Sequence, residues 1–224
     1  MSESTVNNDM KAMEQLVAAM LEPLRGQPLR LFVRSFTGYK MLPAPSDATW
    51  LDPLKCALTE AGQEINRKGL YSVRPNEVGN KIESFVMNAL KNHGFLAGVP
   101  KTRNGREQKA GYPDIEVNGL KGQPEPQFYL ECKTYNPKTV NSTQRTFYLS
   151  PPLAKVTKDA IHLLVAYRME IGKENERQNG KNRYYAKEWK LIDLYDLVVD
   201  VKHEVQASNR ELYKHNPILT GIIQ

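Results

Sequence analysis

Apolar positions along this chain recur at two different periods, and the change from one to the other divides it. Val78, Ile82, Phe85, Val86, Ala89 and Leu90 lie at i, i+4, i+7, i+8, i+11 and i+12, which is one face of a helix. Pro75-Asn76 marks the start of that helix and His93-Gly94 its end. Nearer the N-terminus, Met10, Met13, Val17, Met20, Leu21 and Leu24 follow the same period after a polar Asn7-Asn8-Asp9, so a helix is predicted there too. Its methionine stripe suits core or a subunit contact, because methionine fills irregular apolar gaps. Residues 29–33 read as a short strand and 37–49, with Gly38, Pro43 and Pro45, as loop; Trp50, Leu54, Leu58 and Ile65 predict a further helix over 48–70 that ends near Gly69.

The period shortens to two in the middle of the chain. Residues 112–117 and 127–135 are β-prone and are separated by a turn-rich piece holding Asn118-Gly119, Gly122, Pro124 and Pro126, a strand-loop-strand unit. Alternation puts Phe128, Leu130 and Cys132 on one face of the second strand and Tyr129, Glu131, Lys133 and Tyr135 on the other. Downstream, 153–160 reads as a short helix and 161–169, the apolar run IHLLVAYRM, as a buried strand. A polar loop over 172–183 leads to a strand over 184–192; 194–205 is compatible with helix or strand, and 209–224 has no decided form. His162 is expected to be a core histidine rather than a general base, since no partner carboxylate is evident near it. The order of elements predicts an α/β fold: a mixed central β-sheet flanked by helices, with a helical lead-in over about 1–75 and a core over about 76–200. No repeat or Gly/Ser linker divides the chain, so one domain over 1–224 is expected.

Composition narrows the classes. With 40% hydrophobic and 25% charged residues the chain is ordinary globular material, long enough to be an enzyme alone. The 31 Lys and Arg against 25 Asp and Glu give a net charge of +6, a mild bias towards polyanions that does not by itself establish nucleic-acid binding. Cys56 and Cys132 are the only cysteines, with no Cys-x-x-Cys, which argues against a disulfide framework or structural zinc and suits a reducing, cytoplasmic setting. The lack of a long apolar run or a signal-peptide pattern predicts a soluble, unexported protein with no membrane partner. Gly-x-Gly-x-x-Gly, Walker, Gly-x-Ser-x-Gly and His-Glu-x-x-His motifs are all missing, which speaks against an unrelated small-molecule enzyme.

Candidate chemistry gathers in the strand pair. Glu131 and Lys133 share the polar face of a strand expected to be half-buried, where charge is costly unless paired or bound to a metal. Asp114, after Pro113 near the start of the first strand, is placed to join them. Two carboxylates and a lysine converging at a sheet edge suit phosphodiester hydrolysis: the carboxylates hold a hard cation such as Mg2+ through oxygen, and the lysine orients or deprotonates the attacking water. The loop 100–110, with Lys101, Arg103, Arg106 and Lys109, is placed to hold phosphates. Residues 136–150 supply Lys138, Asn141, Ser142, Thr143, Gln144 and Arg145, side chains of the types that grip phosphates and read base edges.

The spelling Pro113-Asp114, a gap, then Glu131-Cys132-Lys133 resembles the PD-(D/E)XK nuclease superfamily, to which most type II restriction endonucleases belong. The resemblance covers roughly 76–200 in order of elements; 1–75 adds nothing to it. It implies a restriction-endonuclease-like core in which Asp114, Glu131 and the Cys132 carbonyl hold Mg2+ and Lys133 serves the attacking water. Glu83, in GNKIESFVMNALKNHGF, becomes an accessory acid near the metal, with Glu77 the weaker alternative. The activity implied is sequence-specific cleavage of double-stranded DNA to 5′-phosphate ends by a type II-like homodimer whose biological companion is a cognate DNA methyltransferase. A repair or junction-resolving nuclease on the same core, and a non-catalytic nucleic-acid-binding protein, remain the alternatives.

Overall fold

The computed structural model describes residues 3–21, 24–73, 77–108, 110–138, 141 and 147–201. The chain divides into two compact units, one made of Met1–Gln27 with Val199–Gln224 and the other of Pro28–Val198. In the first unit, helix α1 spans Glu3–Leu21 as the N-terminal spacing predicts, and Met10, Met13, Leu16, Val17 and Met20 are all exposed on it. No helix of the described residues is long and apolar enough to cross a membrane.

The second unit holds the core. It begins with helix α2, Leu29–Thr37, where a strand was expected over 29–33. Five residues alternate like a strand, but Leu29, Phe32, Val33 and Thr37 together form a helical stripe, and these four are the buried ones. Gly38, at φ 84°, ends the helix with its N–H on the Arg34 carbonyl. Helix α3, Leu51–Lys68, closes on Gly69, and helix α4, Gly79–Asn92, closes on His93, each within a few residues of its predicted bounds. Leu54, Ala57, Leu58, Ala61 and Ile65 of α3 share one buried cluster with Ile82, Val86, Ala89 and Leu90 of α4 and with the apolar face of the sheet.

Among the described residues that sheet has seven strands: β1 Met41–Leu42, β2 Leu70–Ser72, β3 Phe95–Gly98, β4 Ile115–Leu120, β5 Gln123–Tyr135, β6 Ala160–Ile171 and β7 Asn182–Asp193. Their spatial order is β2-β7-β6-β5-β4-β3, with β1 added in parallel to the first residues of β6. β5 and β6 run parallel, as do β1 and β6, and the other neighbours antiparallel, so the sheet is mixed, as expected. Because β2 lies at its edge and α3 shares its buried cluster, residues 41–72 are built into the core of the second unit.

Three local expectations change. The hairpin turn is confined to Lys121-Gly122, because Asn118 pairs with Gln127 and Leu120 with Gln123. Gly119 sits inside the ladder at φ 137°, where a Cβ would stand 2.5 Å from the Gln123 carbonyl oxygen. In place of a helix over 153–160 there is one 3-10 turn, Pro151–Leu153, followed by extended chain. The extended form is fixed from outside, since the Lys155 N–H donates to the Tyr112 carbonyl at 2.9 Å and the Thr157 N–H to the Tyr129 hydroxyl at 3.0 Å. Finally, β5 is an inner strand rather than an edge, and Phe128 through Cys132 are all buried.

Candidate active site

The β4-β5 hairpin brings the two acids together by register. Ile115 faces Leu130, so Asp114, one residue before β4, stands opposite Glu131. Its Oδ2 accepts the Cys132 backbone N–H at 2.8 Å, which clips the approach to β4 onto β5. Lys133, two residues along the same face as Glu131, donates from Nζ to Glu131 Oε1 at 2.6 Å. Glu131 is only 4% exposed, and its other oxygen, Oε2, is buried with no hydrogen-bond donor among the described residues. A buried carboxylate oxygen that lacks a donor calls for a proton or a cation.

The electrostatics agree. Burial raises the Glu131 carboxyl, the neighbouring Asp114 raises it further, and Lys133 and Lys155 only partly reverse this, leaving it at about 7. Asp114 is also raised, chiefly by burial, against the Cys132 N–H and the two ammonium groups. Burial alone would lower Lys133, but Glu131 and Asp114 outweigh it and its ammonium is held above the usual lysine value. Two acids pushed upward beside a lysine pushed upward describe a site short of positive charge.

Glu83 is intermediate in exposure and its charge reaches the site: burial and then Asp114 raise the Cys132 thiol and Glu83 adds to that, while burial lowers the Lys155 ammonium against Asp114, Glu131 and Glu83. Glu77, its weaker alternative, accepts from the Ser72 hydroxyl at 2.6 Å instead. Among the described residues no three or more His, Cys, Asp or Glu side chains form a group suited to a metal. The oxygen donors brought together here are the carboxylates of Asp114 and Glu131. This small, hard oxygen set fits Mg2+, which keeps several waters and takes one or two protein carboxylates, better than a zinc cage.

The predicted nucleic-acid contacts are scattered. Arg103 donates to the Phe36 and Thr37 carbonyls at the end of α2, a structural pin for its loop. Lys138 and Asn141 are exposed after β5. Lys109, Gln144 and Arg145, with Ser142 and Thr143, lie outside the described residues. His162 is in the core as expected: fully buried, its Nδ1 2.7 Å from the Tyr112 hydroxyl, and held neutral by burial, which lowers it to about 3.

One side chain beside the acids went unread in the sequence. Lys155 is 0% exposed and its Nζ donates to the Gln108 carbonyl at 3.0 Å; burial lowers its ammonium, and Asp114, Glu131 and Glu83 pull the other way. Its burial follows from the extended path of 154–159, and nothing in the local pattern signalled that path.

The profile of the family described as "Type II restriction enzyme MjaV family" matches residues 24–216 of this chain. The chain is also 36% identical to the type II restriction enzyme MjaV of Methanocaldococcus jannaschii, over 92% of its own length and 93% of that protein.

Proposed function

From the premise that this chain belongs to the type II restriction enzyme MjaV family, we propose that it hydrolyses double-stranded DNA with Mg2+ at a PD-(D/E)XK centre of Asp114, Glu131 and Lys133. The observation that carries the reading is Glu131 Oε2, a buried carboxylate oxygen without a donor, facing a second raised acid. Asp114, Glu131 and the Cys132 carbonyl would hold the cation, with Glu83 as accessory acid. A bound Mg2+ supplies Lewis acidity towards a phosphoryl oxygen and a water of lowered pKa.

The chain's own groups do the rest. Asp114 is held by the Cys132 N–H, so its carboxylate keeps its place without substrate. Lys133, as an ammonium tethered to Glu131, is a donor that orients the attacking water and offsets charge developing on the phosphoryl oxygens. In-line attack by that water would leave 5′-phosphate and 3′-hydroxyl ends. Lys138 and Asn141, exposed directly after β5, and the residues up to Arg145 would meet the DNA. A symmetric site cut on both strands calls for a homodimer. A cytoplasmic setting and a cognate methyltransferase that protects host DNA complete the proposal.

Digestion of a sequenced plasmid by purified protein with Mg2+ tests this directly. Discrete fragments that religate without added phosphate are expected, and Asp114→Ala or Glu131→Ala should abolish them while the protein stays folded. A wild-type cutting rate in either variant would remove the assignment. Cleavage of four-way junctions but not of plasmid would favour the resolvase alternative, and binding without any cleavage the non-catalytic one.

A further inference from the structure

Five charged side chains bear on one another at the proposed centre. Asp114, Glu131 and Glu83 are negative and Lys133 and Lys155 positive, so the ionised cluster carries one net negative charge. Lys133 belongs to the strand motif. Lys155 does not: it reaches the cluster from the extended segment before β6, which its own N–H ties to the Tyr112 carbonyl two residues ahead of Asp114. Its ammonium is wholly buried and donates to the Gln108 carbonyl at 3.0 Å. Burial lowers that ammonium below the usual lysine value, and Asp114, Glu131 and Glu83 only partly restore it, so the two proposed cation ligands are among the anions that keep it charged.

We propose that Lys155 is a positioning residue that sets the charge of the centre: its buried ammonium offsets one of the three carboxylates, weakening divalent-cation binding but leaving the loaded site net positive towards the phosphodiester. This rests on Asp114 and Glu131 as cation ligands. With Lys155 present, a bound Mg2+ turns one net negative charge into one net positive charge, which attracts an anionic phosphodiester and matches the extra charge of its transition state. Without Lys155 the same cation only neutralises the site. The residue therefore trades affinity for the metal against stabilisation of the reacting phosphate.

A charge cycle tests the assignment with Ca2+, measured by titration calorimetry on the full chain at pH 8.5 without DNA, alongside single-turnover cleavage in Mg2+. Lys155→Met, similar in length and uncharged, should bind Ca2+ on the order of tenfold more tightly yet cleave on the order of 100-fold more slowly. Lys155→Arg should restore both. Glu83→Gln should weaken Ca2+ binding by a similar factor, and the Lys155→Met/Glu83→Gln pair, which regains the original net charge, should return it to about the wild-type value. If Lys155→Met does not fold, Lys155→Gln, uncharged but still able to donate to the Gln108 carbonyl, takes its place in both measurements and in the pair. Unchanged or weaker Ca2+ binding in folded Lys155→Met, or a pair that stays at the Glu83→Gln level, would overturn the proposal and leave Lys155 as a pin for the Gln108 loop. Wild-type protein that takes up no Ca2+ would instead bring down the cation-site reading itself.

Discussion

The two faces of β5 are buried almost equally and held in opposite ways. Cys132 is 3% exposed and Glu131 4%, one residue apart. Phe128, Leu130 and Cys132 lie in the cluster with α3 and α4, where removal from water and close packing suffice. Glu131 has one oxygen on Lys133 and another with no donor among the described residues, beside a second acid. The first face stabilises the fold as it stands. The second is a strained arrangement that a cation would complete, and a fold can hold such strain only because the face behind it is so well packed.

The contrast can be broken from either side. The largest effect is expected at the polar face: Glu131→Gln should lower cleavage by on the order of 10³-fold, while raising rather than lowering the melting temperature of the metal-free protein, since it removes one of two opposed buried charges. Loss of both activity and stability would show the carboxylate to be structural. At the apolar face, Leu130→Ala should lower unfolding free energy by about 2–5 kcal/mol, as for other buried leucines, and leave cleavage per folded molecule unchanged. Denaturant unfolding with active-site titration separates the two.

A third expectation concerns pH. The Glu131 carboxyl rises from 4.5 to about 7 in the fold, so the native state binds that proton more tightly than the unfolded chain. This contribution to stability is complete below pH 4.5 and is lost as pH rises through about 7. Asp114, raised as well, acts in the same direction. Melting temperatures in chelator should therefore fall across that window, and Mg2+ should restore them most at the alkaline end. An identical profile in Glu131→Gln would assign the slope to other groups. The smallest effect belongs to Tyr135, further out on the polar face, whose hydroxyl donates to the exposed Glu188. Tyr135→Phe should change stability by less than about 1 kcal/mol, because water replaces the lost partner.

The site was more legible than its surroundings, for a reason that lies in its residues. Glu131 and Lys133 sit two apart on a strand, and Asp114 reaches them through a hairpin of local register, so their meeting needed only period two and a turn. The helices α3 and α4 were visible because their stripes are long. Residues 29–33 misled because five residues satisfy a strand pattern and a helix pattern alike, and only Thr37, a full turn later, decides between them. Residues 153–160 misled because distant hydrogen bonds, to Tyr112 and Tyr129, hold them extended. Arg103 looked available for phosphate, yet its guanidinium is engaged by the end of α2, far away in sequence.

Periodicity alone determined which faces of β5 would turn inward and which acids would meet, because alternation and hairpin register are properties of adjacent residues. Tertiary structure alone decided that β5 would lie inside the sheet, that Glu131 would be stripped of water, and that Lys155 would be buried beside it. Each of these depends on segments distant in sequence being packed together, and burial, unlike periodicity, has no meaning until they are.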